Sequence, residues 1–186
     1  MKRAVFILLV LFLGIALQLS WAQDAKPKIV ILIVEQNIGG PQRAWWASEI
    51  DLSATETALA KNLMQQGYEI IDPSQVKNVI SQDSAFRLVN LSEAKSLKLG
   101  SLSKADYVLQ GKAIASSGGN VPDSSMRSCF ANINAKLIRV RDGKIIAYLD
   151  AAGNSAHMDV VTGGREALVN AAEDLAQKVI AELDKK

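Results

Sequence analysis

IVILIV, at residues 29–34, is the stretch that decides the fold. Its β-branched and leucine side chains form a continuous apolar run that is too short for a helix, so it predicts a central strand buried on both faces. Glu35, Gln36 and Asn37 follow at the carboxyl end of this strand. Ligands of open α/β sheets collect at that edge, and we therefore predict that these three side chains contribute to a binding site.

Carboxylates are frequent after this strand, at Glu35, Glu49, Asp51 and Glu56. Carboxylate oxygens are suitable ligands for a hard cation, but the spacing of these four matches no calcium loop. We therefore predict no metal site and expect these groups to be solvated loop carboxylates.

The remaining elements follow outward from the first strand. Ser53 and Glu56 form a capping-box pattern that predicts the start of a helix, and Gly67 predicts its end. The pair Asp142-Gly143 predicts a tight hairpin turn between two strands. The predicted strands lie at 29–34, 68–72, 105–113, 129–141 and 144–152. The predicted helices lie at 53–67, from 73 onward and at 92–104, and a long final helix follows Thr162-Gly163-Gly164 and ends at about residue 183. A Ser/Gly/Pro-rich loop is predicted at 116–128. The order β-α-β-α-α-β-β-β-α predicts an α+β fold in which a single mixed sheet is packed by helices.

The amino terminus has the pattern of a secretory signal peptide over residues 1–22. Lys2 and Arg3 precede an apolar run, and Ser20-Trp21-Ala22 offers small residues where signal peptidase cleaves. The alternative is an uncleaved membrane anchor, because the run approaches the length that spans a bilayer. With cleavage, we expect a polar leader at 23–28, a single α/β domain at 29–186, no membrane span in the mature chain, and a periplasmic location.

The charge of the chain excludes some classes of partner. The formal net charge is +2, and residues 1–22 contain two basic residues and no acidic one, so the mature chain is formally neutral. A neutral chain without a basic block gives no electrostatic reason to bind nucleic acid or an anionic membrane surface, and we expect neither. The single Cys129 cannot form an internal disulfide, so the fold depends on its hydrophobic core.

Two further segments have candidate binding residues. Trp45-Trp46 lies in a loop that begins with glycines and a proline, and exposed Trp side chains are enriched at binding hot spots. The competing interpretation is that both rings pack on the sheet edge as a structural cover. Gly163-Gly164-Arg165 lies at the start of the last helix and is predicted to bind an anion weakly through free backbone N–H groups, although a flexible hinge is the simpler interpretation.

The sequence has no catalytic signature. His157 is the only histidine, and Cys129 is the only cysteine. A nucleophilic cysteine needs a base beside it, and no motif places His157 there, so a buried small thiol is the better interpretation. We predict that the protein is not an enzyme and that it needs no cofactor.

Several segments together resemble a known type of periplasmic domain. The strand ADYVLQGKA at 105–113 follows the helical stretch KLGSLSKA. The other segments that share the layout are KIVILIVEQN, GYEIIDPSQV and the final GGREALVNAAEDLAQKVIAEL. This layout resembles the curli-secretion and Tol-system amino-terminal α/β domains, the outer-membrane activators of penicillin-binding proteins, and the middle domain of flagellar assembly protein T. The resemblance implies a fold and a role in building or regulating envelope machines, and it implies no reaction.

The chain departs from these relatives in two respects. No lipid-acceptor cysteine follows the predicted cleavage site, and no pore-forming insertion or propeller accompanies the domain, so we expect neither outer-membrane anchoring nor channel formation. Our prediction is a non-enzymatic secreted adaptor or assembly factor of the bacterial cell envelope, in which the flagellum is one candidate machine, acting on an envelope protein partner. The alternative is a periplasmic binder of a small molecule or glycan.

Overall fold

The computed structural model describes residues 26–41, 53–72 and 93–185. Within these ranges the elements in chain order are β1 (Lys28–Asn37), β2 (Gly40–Pro41), α1 (Ala54–Gln65), β3 (Glu69–Ile70), α2 (Glu93–Leu102), β4 (Tyr107–Asn120), β5 (Arg127–Arg139), β6 (Ile145–His157) and α3 (Val160–Leu183). All of these strands belong to one mixed sheet, so the predicted α+β class is confirmed. The predicted signal peptide, the Trp45-Trp46 segment and the helix predicted from residue 73 lie outside the described residues.

The sheet is built around β1 and a three-stranded meander. Its order is β2-β1-β4-β5-β6, and β3 also pairs with β1. β1 runs parallel to β3 and β4 and antiparallel to β2, whereas β4, β5 and β6 are antiparallel to one another. Residues 29–33 are all buried, which confirms that the IVILIV run forms a strand covered on both faces.

Helices cover the two faces of this sheet unequally. α1 and α3 pack on one face and bury the larger core, which includes Leu59 and Leu63 of α1 and Leu168 of α3. α2 packs on the other face, where Leu99 joins a smaller cluster with Val108 of β4. Since α2 is only ten residues long, much of that second face is not covered by it. No helix in the described ranges is long and apolar enough to cross a bilayer.

The meander strands are longer than the sequence predicts. The predicted loop at 116–128 is wrong over most of its length, because β4 continues to Asn120 and β5 begins at Arg127. Ser116 pairs with Phe130 and Ser117 with Cys129, and the register shifts only after that point. The backbone N–H and C=O groups gain partners across the hairpin whatever the side chains are, so pairing outweighs the low strand preference of Ser and Gly.

The hairpin turn between β5 and β6 forms at the predicted position, but it is longer than the tight turn that was predicted, because residues 140–144 lie between the two strands. Gly143 adopts a φ of 67°, a conformation that glycine reaches without a steric penalty. Arg139 Nη2 donates to Asp142 Oδ2 at 2.7 Å, and the amide of Lys144 donates to Asp142 Oδ1 at 3.2 Å. The hydrogen bond from the Arg139 guanidinium lowers the pKa of Asp142 to about 2. β6 then runs to His157, five residues beyond the predicted end at Ala152.

The free edge of β6 is blocked by side chains of α3. Three α3 residues spaced four apart hydrogen-bond to backbone groups that point away from β5: Asn170 Nδ2 donates to Asn154 O (2.8 Å), Asp174 Oδ2 accepts from Ala152 N (3.3 Å), and Lys178 Nζ donates to Asp150 O (2.6 Å). We call Asn170, Asp174 and Lys178 the edge-capping side chains. They occupy groups through which an edge strand would otherwise pair with another chain.

Candidate binding surface

Glu35 is a buried structural carboxylate, so the expectation of a solvated loop group is wrong for this residue. Its side chain is 4% exposed, and Glu35 Oε2 accepts a hydrogen bond from the backbone N–H of Thr55 at 2.8 Å. Thr55 lies in the first turn of α1, where N–H groups lack intrahelical partners and the helix dipole favours a negative charge. Glu35 therefore joins the end of β1 to the start of α1.

The capping box at the start of α1 forms only in part. Ser53 Oγ accepts from the backbone N–H of Glu56 at 3.0 Å, as predicted. The Glu56 carboxylate does not return to Ser53. Its Oε1 instead accepts from the backbone N–H of Ile33 at 3.0 Å, so Glu56 is also buried between α1 and β1 and is not a loop carboxylate.

Asn37 joins β1 to α3. Its Oδ1 accepts from the backbone N–H of Ile38 at 2.7 Å, and its Nδ2 donates to the carbonyl of Val161 at 3.2 Å. The side chain is 8% exposed, so its polar atoms are used within the fold. Of the three predicted side chains at the carboxyl end of β1, only Gln36 is exposed, and it points to the opposite face from Glu35 and Asn37 because successive strand residues alternate.

Gln36 belongs to a broad exposed surface on the face of the sheet opposite α1 and α3. Cross-strand pairing aligns residues of this face into rows, such as Gln36–Ile114–Asn132–Ala152. We call this surface the open face and define it by the exposed residues Gln36, Lys112, Ile114, Ser116, Phe130, Asn132, Asn134, Asp150, Ala152 and Asn154. Strands are about 4.8 Å apart, so these side chains form one continuous array across four strands.

The open face combines side-chain amides with two exposed apolar side chains, Ile114 and Phe130, in neighbouring rows. Ile114 and Phe130 occupy positions that face water, and they are 39% and 45% exposed although their side chains are apolar. The Phe130 ring lies over Gly118, where an added Cβ would come within 2.6 Å of Phe130 Cε2. The lack of a side chain at Gly118 thus provides the space that the Phe130 ring occupies.

The open face has two charged side chains and ends where α2 begins. Lys112 and Asp150 are its only charged members, and neither side chain makes an ion pair within the described part of the chain. The surface ends where α2 begins, at the ion pair between Glu93 Oε2 and Lys136 Nζ (2.6 Å). The result is a nearly neutral, exposed sheet surface with two apolar side chains in neighbouring rows, which is the composition of a protein-binding patch more than of an enclosed catalytic pocket.

Gly163 and Gly164 lie inside the first turn of α3 and are buried, so the interpretation as a hinge before the helix is wrong. A Cβ at Gly163 would come within 2.7 Å of Cys129 Sγ, and one at Gly164 would collide with the Asn37 side chain. These glycines allow α3 to approach the sheet closely. Asp159 caps this helix by accepting from the N–H of Thr162 at 2.8 Å, so a carboxylate already stands where an anion would bind. Arg165 is exposed, and the predicted anion site at these three residues gains no support from this arrangement.

Cys129 and His157 have structural environments. Cys129 is fully buried, and its Sγ lies 3.9 Å from the carbonyl of Arg127 and 3.8 Å from that of Val160. His157 Nδ1 accepts from the backbone N–H of Asp159 at 3.0 Å. Neither geometry activates the thiol as a nucleophile. Across the described ranges, no group of three His, Cys, Asp or Glu side chains is placed to hold a metal ion.

An apolar groove lies at the outer edge of β1, between α1 and β3. Its volume is about 660 Å³, and its apolar lining includes Ile31, Ala60, Met64 and Ile70. Asp72 also lines it and is the last described residue before 73–92. The Trp45-Trp46 segment lies outside the described residues, so its role in recognition stays a prediction.

The open face was not predicted as a site, although the sequence contains a signal for it. In β5 the alternation of Ala131, Ile133 and Ala135 with Asn132 and Asn134 predicts one wet face. Phe130 falls in the register of the wet residues, where an aromatic side chain is unexpected. That mismatch is the feature from which an exposed apolar side chain could have been inferred.

Comparison with known proteins places the chain beside several solved structures. No protein-family model and no curated protein matches it. The lipoprotein GNA1162 from Neisseria meningitidis is 16% identical, with 86% of this chain and 99% of that chain covered and a TM-score of 0.44. The LpoB carboxyl-terminal domain from Salmonella enterica is 23% identical, with coverages of 71% and 85% and a TM-score of 0.39. The PelC dodecamer from Paraburkholderia phytofirmans is 18% identical, with coverages of 87% and 89% and a TM-score of 0.43. At these identities and TM-scores, the likeness assigns no function to this chain.

Proposed function

We propose that this protein is a secreted, non-enzymatic adaptor or assembly factor of the bacterial cell envelope that binds a partner protein through the open face. The observation that carries the proposal is the exposure of Ile114 and Phe130 in neighbouring rows of a mostly polar surface. Large apolar side chains gain free energy when a partner covers them, and such residues at the centre of an interface supply most of its binding energy.

The surrounding residues support binding more than catalysis. The amides of Asn132 and Asn134 supply hydrogen-bond donors and acceptors beside these apolar side chains, which suits the polar rim of an interface. Cys129 and His157, the two residues with reactive side chains that the sequence singles out, are engaged with backbone groups of the fold. The periplasmic location is part of the proposal and is supported by the signal-peptide pattern at residues 1–22. A flagellar machine is one candidate setting for the partner.

The test is partner capture from detergent-solubilised bacterial envelopes with the purified protein as bait. A double variant with Ile114→Ala and Phe130→Ala should lose captured partner, because removing hot-spot anchors weakens binding by about 2–4 kcal/mol. Neither side chain belongs to the buried core, so the thermal stability of this variant should fall only slightly.

The matched control is Val161→Ala, which removes a comparably exposed apolar side chain (45%) from α3, on the opposite face of the sheet. This variant should capture the partner as well as the wild-type protein does. Equal capture by the open-face variant and the wild type would refute the assignment of the open face as the binding surface.

A second candidate function is supported by the apolar groove beside β1. Its volume of about 660 Å³ is that of a small-molecule site, and the ligand that fits its lining is apolar. Ala60→Phe would fill the groove and should abolish enhancement of 1-anilinonaphthalene-8-sulfonate fluorescence. Ala181→Phe, on the exposed side of α3, is the control. A dye signal that survives Ala60→Phe would exclude this function.

A further inference from the structure

The side chains that β4 and β6 place on the open face are complementary to each other across β5. On these three strands the open face consists of three rows of directly paired residues. Counted away from α2, the rows are Lys112, Asn134 and Asp150; then Ile114, Asn132 and Ala152; then Ser116, Phe130 and Asn154. In each row the β4 residue and the β6 residue lie on opposite sides of β5, each about 4.8 Å from it.

A two-fold rotation about an axis that runs along β5 exchanges the positions of β4 and β6. A second copy that this rotation lays on the open face keeps every row at its own level along β5. The β6 residue of one copy then faces the β4 residue of the same row in the other copy. The strands of the two sheets stay aligned, which is one of the two ways in which sheets pack face to face. Two-fold pairing also uses the same patch on both copies.

The charges of the open face fit this rotation. Lys112 and Asp150 are its charged members, and within the described ranges neither side chain makes an ion pair. The rotation places Lys112 of each copy opposite Asp150 of the other. The pair of copies therefore gains two ion pairs, and a shift by one row would lose both. Opposite charges that face each other in this way fix the register of an interface.

The other two rows are complementary in size and polarity. Ile114 is a large apolar side chain, and it would face Ala152, a small one, so the two sheets can approach closely there. The Ser116 hydroxyl would face the amide of Asn154, and both groups donate and accept hydrogen bonds. All three rows therefore match charge with opposite charge, apolar with apolar and polar with polar. This match within one surface is what recognition of a second copy requires.

The residues of β5 lie on the axis and would meet their own counterparts. Asn132 and Asn134 each have an amide with both donors and an acceptor, so two copies of either side chain can hydrogen-bond to each other. Two Phe130 rings would meet in the same way. Aromatic pairs whose centroids are about 4.5–7 Å apart attract each other in offset or edge-to-face arrangements. No residue on the axis therefore places like charges together.

The contact is small, because α2 stands on the same face beyond Lys136 and limits it to these three rows. Three strands about 4.8 Å apart and five residues of about 3.4 Å each enclose roughly 250 Å² on each copy. Even twice this area is below the roughly 800 Å² per partner that a stable complex buries. A dimer formed through this surface is therefore weak and reversible.

We propose that the open face pairs with the open face of a second copy of this chain, about a two-fold axis along β5, in a weak dimer. This inference rests on the function proposed above, because it assigns an occupant to the same protein-binding surface. The second copy and an envelope partner compete for that surface. In the absence of the partner, the dimer covers Ile114 and Phe130 and so reduces the exposed apolar surface of the free protein.

The test is sedimentation velocity of the purified mature protein over a concentration series that reaches the millimolar range. The weight-average mass of the wild type should rise with concentration. Lys112→Asp leaves only acidic charges in its row and Asp150→Lys leaves only basic ones, so each variant alone should stay monomeric where the wild type dimerises. An equimolar mixture of the two variants should dimerise again, because each supplies the charge that the other needs. Recovery in the mixture also shows that both variants are folded.

Matched controls reverse one charge on the helices that cover the other face of the sheet. Lys61→Asp on α1 and Glu173→Lys on α3 change the net charge by the same amounts as the two open-face variants, at exposed positions. Both controls should dimerise like the wild type. Loss of the dimer in these controls would show a general effect of net charge and would overturn the proposal.

Two further outcomes overturn the proposal: a wild type that stays monomeric throughout the series, and a mixture of the two open-face variants that associates no more than either variant alone. The envelope role is tested separately, by partner capture with the Ile114→Ala, Phe130→Ala variant. A dimer that forms while no envelope partner is captured supports self-pairing and refutes the envelope role. Capture that depends on Ile114 and Phe130 in a strictly monomeric protein supports the envelope role and refutes self-pairing.

Discussion

Replacing Gly153 by alanine would place a methyl group against the backbone of α3. A Cβ at this position of β6 meets Ala167 O and Ala171 N at less than van der Waals distance and Ala171 Cα at 3.0 Å, whereas ordinary contacts are 3.4–4 Å. A flexible side chain could rotate away, but a helix backbone cannot. α3 must therefore retreat by about 1 Å, and it carries buried leucines such as Leu168 and Leu175 that would lose contact with the sheet.

The expected cost of Gly153→Ala is that of overpacking a core, about 1–3 kcal/mol. For a chain of this size the melting temperature falls by about 2–4 °C per kcal/mol, so we expect a decrease of roughly 2–12 °C by calorimetry. Gly119→Ala is the control, since a Cβ at Gly119 of β4 meets nothing within 4 Å. That variant should be unchanged or more stable by up to about 1 kcal/mol through its effect on the unfolded chain. Equal melting temperatures for the two variants would refute the close approach of α3 to β6.

Three further predictions concern neighbouring features of the fold. Glu35→Ala should lower the free energy of unfolding, measured in urea, by about 1.5–3 kcal/mol, because the Thr55 N–H loses a charged acceptor. The control Gln36→Ala should change this free energy by less than about 0.5 kcal/mol. Equal effects of the two substitutions would contradict the opposite orientations of the two side chains. Alanine at all three edge-capping positions should increase concentration-dependent light scattering of the folded protein, and unchanged scattering would show that the β6 edge needs no blocking. The hydrogen bond from Thr162 lowers the pKa of Asp159, so the native state binds this proton less tightly than the unfolded chain does. The ionised Asp159 therefore stabilises the native state above the unfolded pKa of about 3.9. This stabilisation is lost as the pH falls through the lower native pKa. The difference in melting temperature between the wild type and Asp159→Asn should therefore shrink on acidification, and a constant difference would disprove the assignment.

Features set by local sequence were predictable, and those set by distant partners were not. The IVILIV run and the position of the Asp142-Gly143 turn each follow from an apolar pattern or a turn rule within a few residues. The extension of β4 through Gly118 depends on pairing with β5, which no local preference of Ser and Gly reveals. Composition therefore predicted a loop where the structure has strands.

The same distinction applies to the candidate site. Glu35 has the appearance of a loop carboxylate because its partner, the N–H of Thr55, lies 20 residues away. Gly163-Gly164 resembles an anion-binding helix start, but the atoms that require glycine there belong to other elements, such as Cys129 and Asn37.

The edge-capping side chains have a consequence for the order of events during folding. β4, β5 and β6 are consecutive and joined by short turns, so the meander can form early from contacts that are close in the chain. The residues that block its outer edge are on α3, the last element, and they act only once that helix has docked. Between these two steps the meander has an open strand edge, and two chains that meet in this interval can pair through β6. The time that α3 takes to dock therefore sets how much chain is lost to aggregation, and substitutions that slow docking should reduce the yield of soluble protein even where the final stability is unchanged.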